Sequence, residues 1–239
     1  MTGSSVRIGI TLPSFRSDAQ AALEAARQAE VLGLHGVFVF DHLWPLGQPE
    51  RPALSAFPLL GAVAAVTNRI ALGTLVARVG LVPDDVLLAE LLSLERMAPG
   101  RLVAGLGTGD SESAPENLAY GIAYTPADRR RLQLRAVGRL LRDAGIRVWV
   151  GGGSPATSQL AAELGVALNL WGAQPSAVAA LAPRTEVTWA GPVPAELPPL
   201  LEWLEEIDRA GATWAVCAWP VPPEVLAEAA AMRGELDRD

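Results

Sequence analysis

Eight short apolar runs recur along the chain, and longer segments with helical periodicity separate them. The runs are almost continuously apolar, which is typical of strands that are buried on both faces, as in a parallel sheet. Parallel strands need a crossover connection between them, usually a helix. The sequence therefore predicts strands at 6–12, 36–40, 70–76, 101–107, 147–151, 167–171, 186–190 and 213–219.

A predicted helix follows each predicted strand. Eight such strand–helix units of roughly 30 residues fit an α/β fold, a compact (β/α)8 TIM barrel, and a doubly wound sheet is the competing architecture. The sequence contains no linker or low-complexity tract, so we predict a single domain over 1–239. The helices are expected near 19–33, 54–66, 84–98, 127–144, 155–164, 174–182, 196–210 and 222–236.

Two polar residues are adjacent in the sequence directly after the second predicted strand. Asp41 and His42 follow the apolar run "GVFVF", and His42 is one of two histidines in the chain. In a barrel, residues after the C-terminal ends of the strands line the mouth, where active sites lie. Histidine is the side chain best suited to exchange a proton near neutral pH. The residues alone leave open a functional pair or a structural one, in which Asp41 caps local backbone.

Other candidates follow later strands. "GLGTGD" (105–110) has the spacing GxGxG, which differs from the dinucleotide fingerprint GxGxxG, and its small residues allow either a close flat ring or a tight turn. Three glycines at 151–153 precede a helix N-terminus, which suits an anion or a structural turn. Trp44 and Trp171 lie at or beyond strand ends, where they can wall a ring-shaped ligand or simply pack.

Composition excludes several classes of function. The chain has no lysine, since all 19 basic residues are arginine, so Schiff-base enzymes and Walker phosphate loops are excluded. Two histidines and one cysteine predict no zinc site. A net charge of −7 without an arginine-rich stripe predicts no nucleic-acid binding. The single cysteine, a lack of membrane-length apolar runs and an N-terminus unlike a signal peptide predict a cytoplasmic protein.

Taken together, five stretches resemble the luciferase-like monooxygenase superfamily of flavin- and deazaflavin-dependent oxidoreductases. They follow the family's order over most of residues 6–172, and "FDHL", "TNRIALGT" and "GRLVAGLGTG" are specific in combination. Beyond residue 172 the resemblance is slight. The five stretches are IGITLP (8–13), AEVLGLHGVFVFDHL (29–43), AAVTNRIALGTLV (64–76), LERMAPGRLVAGLGTGD (94–110) and VGGGSPATSQLAAELG (150–165).

The resemblance implies a barrel that holds coenzyme F420, or alternatively FMN, with its ring across the mouth. The "DHL" segment and the "GTG" with a following acid are most similar to those of the F420 users. The resemblance implies that His42 and Asp110 are catalytic and that a non-prolyl cis peptide joins Leu75 and Val76. The implied cofactor-binding residues are Asp41, Leu75, Val76, Gly107, Thr108, Gly152, Gly153 and Trp171, of which Gly152 and Gly153 would face the phosphate.

The chain also departs from the family pattern. Its fourth predicted helix runs almost directly into the fifth strand, so the usual insertion that helps to cover the site is missing. We expect an F420-dependent oxidoreductase that moves hydride between the coenzyme and a small organic substrate. An FMN-dependent monooxygenase and a non-catalytic flavin-binding protein are the alternatives. The family's helix-faced dimer implies a homodimer through apolar residues of 54–66 and 86–97.

Overall fold

The computed structural model describes residues 5–234, and within this range the predicted TIM barrel is confirmed. Its strands are β1 (Arg7–Thr11), β2 (Gly36–Val39), β3 (Ala71–Thr74), β4 (Ala77–Arg78), β5 (Leu102–Gly107), β6 (Arg147–Gly151), β7 (Ala167–Trp171), β8 (Val187–Gly191) and β9 (Ala212–Cys217). All neighbouring strands are parallel, and the sheet closes because β3 pairs with both β2 and β5. The single-domain prediction for 1–239 also includes 1–4 and 235–239, which lie outside the described residues.

The predicted strand at 70–76 is interrupted. Strand β3 ends at Thr74, and the peptide bond between Leu75 and Val76 is cis, as the family resemblance implies. The chain resumes as the short β4, which pairs with β5, so β3 and β4 together occupy one of the eight positions of the barrel. An apolar run cannot reveal such a break, because its residues remain buried or half-buried on both sides of it.

The predicted helices are present, and one further helix joins them. The helices are α1 (Gln20–Val31), α2 (Ala56–Val66), α3 (Asp84–Met97), α4 (Ala114–Ala119), α5 (Ala127–Asp143), α6 (Pro155–Leu164), α7 (Pro175–Leu181), α8 (Leu197–Arg209) and α9 (Pro223–Arg233). The sequence did not predict α4, which follows a single 3-10 turn at Ser111–Ser113. The last predicted helix, 222–236, extends beyond the described residues at 235–236.

The connection between α5 and β6 is short. As the sequence indicates, the chain lacks the insertion that members of the resembled family usually carry at this point. Residues 144–146 form the whole connection. The amide of Gly145, whose φ is +81°, donates to the carbonyl of Arg142 at 2.9 Å, and the amide of Ile146 donates to that of Leu141 at 3.0 Å. These bonds close the C-terminus of the helix, so the chain enters β6 directly from the helix cap.

Aromatic side chains fill the interior of the barrel. Phe38 stacks on Trp149 with ring centroids 5.0 Å apart, and Trp214 meets these two rings edge-on at 5.8 and 5.4 Å. Gly36 leaves space for them, because a Cβ there would lie 2.8 Å from Trp214 and 2.9 Å from Phe38. The barrel interior is therefore packed at this level, and a ligand can enter only nearer the mouth.

The helices bury one face against the outside of the barrel. In α3 the buried residues are Leu87, Leu91 and Leu94, and in α8 they are Leu200, Leu204 and Ile207, each set spaced four and then three residues apart. This spacing places each set on one stripe of its helix. Among the helices of residues 5–234, none combines the length and the apolar character needed to cross a bilayer.

Candidate active site

A cavity of about 640 Å³ opens at the C-terminal ends of the barrel strands, and we call it the mouth cavity. Both predicted catalytic residues, His42 and Asp110, line it. So do all but one of the predicted cofactor-binding residues, namely Leu75, Val76, Gly107, Thr108, Gly152, Gly153 and Trp171. The exception among the predicted residues is Asp41. Residues from five different strand ends thus meet around one space large enough for a small molecule.

A buried carboxylate that sequence analysis missed holds His42. The Nδ1 atom of His42 lies 2.8 Å from Oε1 of Glu116, and the amide of Leu43 donates to Oε2 of Glu116 at 3.3 Å. The side chain of Glu116 is 0% exposed, whereas that of His42 is 23% exposed and lines the mouth cavity. Because Nδ1 is bound to the carboxylate, Nε2 is the ring nitrogen left for a ligand.

Arg78 binds the other side of Glu116. One terminal nitrogen of its guanidinium donates to Oε2 of Glu116, and the other donates to the carbonyl of Ser113 at 3.4 Å. Its Nε donates to the carbonyl of Asp41 at 3.2 Å, and the side chain is only 5% exposed. All three guanidinium nitrogens of Arg78 are therefore hydrogen-bonded within the protein. We call Arg78, Glu116 and His42 the charge cluster.

The charge cluster keeps Glu116 ionised. Burial alone would raise the pKa of Glu116, but the hydrogen bond from His42, the charge of Arg78 and the amide of Leu43 outweigh it, so the pKa lies below its ordinary value. A fixed negative charge thus lies behind the imidazole. This arrangement orients the ring and leaves Nε2 toward the mouth cavity, as a group that exchanges protons with a ligand requires.

Glu116 belongs to α4, a segment that the sequence analysis assigned to no element. The surrounding "SESAPEN" (111–117) has the composition of a loop, and Glu116 lies 74 positions from His42. One signal was available, because Pro115 followed by Glu116 is typical of the first turn of a helix. Sequence spacing still does not show which of the nearby carboxylates, Asp110, Glu112 or Glu116, turns inward.

Asp110 caps the turn that leads into α4. Its Oδ1 accepts hydrogen bonds from the amide and the hydroxyl of Ser113, each at 3.1 Å, and its own amide donates to the hydroxyl of Ser113 at 3.4 Å. This reciprocal pair is a capping box. The same carboxylate is exposed at the mouth cavity. The structure thus gives Asp110 a structural role that the sequence did not predict, and its catalytic role stays a prediction.

Asp41 is not among the described residues that line the mouth cavity. Its Oδ2 accepts from the amide of Arg78 at 3.1 Å, so Asp41 joins the end of β2 to β4. This bond fits the structural alternative that the sequence left open, in which Asp41 caps local backbone, whereas Glu116 is the carboxylate that orients His42. Burial raises the pKa of Asp41 even though Arg78 is close. The predicted contact of Asp41 with a cofactor stays a prediction.

The Leu75–Val76 segment packs against one glycine of β5 and one of β6. A Cβ at Gly107 would lie 2.3 Å from one methyl group of Val76, and a Cβ at Gly151 would lie 2.8 Å from the other. Only glycine leaves room for Val76 at these two positions. Thr108 is fixed from behind, because Nε of Arg130 donates to its carbonyl at 2.6 Å. Backbone and small side chains therefore form one wall of the mouth cavity. We call it the glycine wall, and its residues are Leu75, Val76, Gly107, Thr108 and Gly151.

Part of the glycine segment before α6, residues 151–153, is already hydrogen-bonded within the protein. The amide of Gly152 donates to the carbonyl of Asn169 at 3.0 Å, so it is already hydrogen-bonded. Ser154 caps α6 as its sequence indicates, since its hydroxyl accepts from the amide of Thr157 at 3.2 Å. The expected phosphate site therefore narrows to Gly153 and the first turn of α6, where the partial positive charge of the helix faces the cavity.

Three aromatic side chains, Phe15, Phe40 and Trp171, form what we call the aromatic bridge. Phe40 follows β2 and Trp171 ends β7, two strands at opposite positions of the closed barrel, and their ring centroids are 5.4 Å apart. Phe15 stacks on Phe40 at 5.8 Å, and all three line the mouth cavity. Trp44, the other tryptophan considered for a ligand wall, is buried and stacks on Tyr120.

A sequence profile of the family described as luciferase-like monooxygenase matches residues 4–144. The match covers more than half of the chain. It runs from β1 to the end of α5, so it contains every member of the charge cluster as well as Asp110.

Two relatives carry the name F420-dependent glucose-6-phosphate dehydrogenase. The protein from Nakamurella multipartita is 30% identical over 152 residues, which are 63% of this chain and 43% of that protein. The protein from Kineococcus radiotolerans is 36% identical over 118 residues, 49% of this chain and 34% of that protein. The matched part of the chain spans less than half the length of these curated relatives.

A solved structure described as F420-dependent secondary alcohol dehydrogenase in complex with an F420–acetone adduct shares the fold. Its TM-score is 0.80 at 15% sequence identity, and the superposition covers 94% of this chain and 98% of that chain. At this identity the likeness concerns the fold alone. It extends the barrel assignment beyond the part of the chain that the sequence profile matches.

Proposed function

The chain belongs to the luciferase-like monooxygenase family, and we propose that it transfers hydride between coenzyme F420 and a small organic substrate. The charge cluster carries the proposal, because it presents an imidazole at the mouth cavity and holds it from behind with an ionised carboxylate. The names of the two relatives support the choice of coenzyme. The substrate in those names is not carried over, since the match covers less than half of each relative.

The residues of the mouth cavity fit a deazaflavin ring. A volume of about 640 Å³ lies within the range of small-molecule sites. The glycine wall presents backbone where a flat ring needs close approach, and Gly153 with the first turn of α6 suits the phosphate. When bound, the coenzyme supplies a carbon that accepts or releases hydride, while the protein supplies orientation and electrostatics.

His42 holds the proton that accompanies the hydride. Oxidation of an alcohol would move the hydride from its carbon to the bound coenzyme and the hydroxyl proton to Nε2 of His42, and the reverse reaction would return both to the carbonyl compound. Glu116 orients the ring through Nδ1, and Arg78 keeps Glu116 in position. Asp110 is the second proposed catalytic residue, since its carboxylate lies in the same wall and its bonds to Ser113 fix it there.

The proposal is tested by titrating the protein with oxidised F420 and, separately, with FMN, with coenzyme fluorescence as the readout. We expect saturable binding of F420 and weaker binding of FMN. We expect His42→Asn to lower turnover by about 10²- to 10⁴-fold while F420 still binds. Asp110→Asn tests the second proposed catalytic residue without breaking the cap, because the amide oxygen of asparagine can still accept the hydrogen bonds from Ser113. If neither coenzyme binds saturably, the proposal is wrong.

Two alternatives give different results in the same experiments. Oxygen consumption that depends on reduced FMN identifies an FMN-dependent monooxygenase. Tight coenzyme binding without turnover of any hydroxyl or carbonyl substrate identifies a non-catalytic flavin-binding protein, in which His42→Asn changes nothing measurable beyond the bound spectrum.

A homodimer and a cytoplasmic location are also part of the proposal. A groove between α2 and α3 is lined by Phe57, Gly61, Leu94 and Met97, and Met97 is 56% exposed. Exposed apolar surface of this kind supports contact with a second copy. We expect light scattering to give a dimer at micromolar concentration and Met97→Glu to give a monomer. The only cysteine of the sequence, Cys217, is a free buried thiol, which supports the cytoplasm.

A further inference from the structure

We infer that the aromatic bridge is the substrate-binding face of the mouth cavity and that the substrate is an uncharged, apolar alcohol or carbonyl compound. This inference rests on the proposed function, because it concerns the substrate of the same site. It differs from the sugar phosphate in the names of the two relatives. The position of the aromatic bridge, the bonds of Arg78 and the charges of the cavity wall carry it.

The aromatic bridge bounds the mouth cavity on one side. Phe40 and Trp171 follow opposite strands, and their edge-to-face contact at 5.4 Å spans the mouth between them. Among the described residues that line the cavity, all belong to segments from β1 to the start of α6 or to β7, and none belongs to β8, β9 or their loops. A ligand between the glycine wall and the aromatic bridge therefore lies against aromatic rings.

The wall of the mouth cavity offers a substrate phosphate no available guanidinium group. Arg78 is the one arginine among its described lining residues, and its three guanidinium nitrogens bind Glu116, Ser113 and Asp41. The exposed carboxylate of Asp110 in the same wall would repel a second anion, whereas the charge of Glu116 is already paired with Arg78. The favourable anion position at the first turn of α6 is assigned to the coenzyme, so a phosphorylated substrate would leave its charge unpaired.

The remaining contacts suit an apolar molecule with one polar group. Phe15, Phe40 and Leu46 present apolar surface to the cavity, and Trp171 is 50% exposed there. Nε2 of His42 supplies one hydrogen bond to a hydroxyl or a carbonyl. An apolar body with a single fixed polar contact is the usual composition of a small-molecule site. Acetophenone and 1-phenylethanol, which differ by one hydride and one proton, are suitable probes.

The test measures binding by calorimetry, with and without oxidised F420, for acetophenone and for glucose 6-phosphate. We expect acetophenone to bind more tightly than glucose 6-phosphate in at least one of the two conditions. Phe40→Ala should weaken acetophenone binding about tenfold, because an aromatic contact is removed. Phe40→Leu keeps apolar bulk if the smaller variant does not fold, and should weaken it less. Leu140→Ala, which removes an exposed apolar side chain of α5 that lines neither the mouth cavity nor the groove between α2 and α3, is the control and should change nothing.

Several outcomes would overturn the inference. Equal or tighter binding of glucose 6-phosphate in both conditions would show that the cavity accommodates a phosphorylated substrate. Acetophenone binding that is absent in both conditions, or unchanged by Phe40→Ala and Phe40→Leu, would show that the aromatic bridge is not the substrate face. Saturable F420 binding in the same samples separates these outcomes from failure of the proposed function, which the coenzyme titration alone decides.

Discussion

Nδ1 of His42 and Oε1 of Glu116 lie 2.8 Å apart although 74 positions separate the two residues in the chain. The end of β2 positions the imidazole, and the short α4 positions the carboxylate. Arg78, just beyond the cis peptide of Leu75 and Val76, holds the carboxylate from its other side. Three separate segments therefore have to be in place before the imidazole is oriented.

Removing the carboxylate of Glu116 should destabilise the protein. Glu116→Ala leaves the guanidinium of Arg78 buried without its partner, and breaking one side of a buried ion pair costs about 3–5 kcal/mol. Urea unfolding measures this loss. Glu112→Ala, which removes an exposed carboxylate from the same segment, is the control and should change the free energy of unfolding by no more than about 0.5 kcal/mol. Similar losses for the two variants would contradict the prediction.

The contribution of Glu116 should depend on pH in one direction. Because its pKa in the folded state lies below its ordinary value, the ionised form contributes stability that is present above the unfolded pKa. That stability is lost as the pH falls through the folded pKa. The difference in unfolding free energy between the native protein and Glu116→Gln should therefore be largest near neutral pH and shrink below about pH 4. A difference that stays constant with pH would be inconsistent with this assignment.

Asp41→Asn should not destabilise the protein at neutral pH. The raised pKa of Asp41 means that its ionised form disfavours the folded state above the unfolded pKa, and asparagine removes that charge. The amide oxygen of asparagine can still accept the hydrogen bond from the amide of Arg78. Equilibrium unfolding at pH 7 should therefore give equal or higher stability for the variant. A clear loss would indicate that the charge itself holds β4.

Gly107→Ala should disturb the glycine wall. Its Cβ would lie 2.3 Å from a methyl group of Val76, and overpacking of this kind costs about 1–3 kcal/mol. F420 affinity should fall with it, because the wall moves into the cavity. Gly61→Ala, in α2, is the contrasting variant: its Cβ would meet Met97 at an ordinary 3.5 Å, and it should stabilise the helix by about 0.5–1 kcal/mol. Thermal unfolding and coenzyme titration measure both.

Much of the barrel was predictable because its signals are local. Continuous apolar runs mark strands that are buried on both faces, and residues just after such runs reach the mouth wherever the sheet closes. For this reason His42, Asp110, Gly152 and Trp171 could be assigned to one site from sequence, and the structure brings them around one cavity.

The partners of those residues were not predictable, because they depend on tertiary contacts. Nothing in the sequence near Arg78 shows that its guanidinium turns inward to Glu116, and the break after Thr74 lies inside an uninterrupted apolar run. The segment around Glu116 has the composition of a loop. Its role follows from burial, which single-sequence patterns report poorly for short polar segments.

Helix α4 has six residues, too few to be stable without outside support. Glu116 ties it to Arg78 and His42, and the side chain of Asn117 adds a bond to the carbonyl of Gly80 at 3.4 Å. Its amide protons should therefore exchange with solvent only when the charge cluster opens. Hydrogen–deuterium exchange in α4 would then report on occupancy of the site, because it should slow whenever a molecule binds the imidazole of His42.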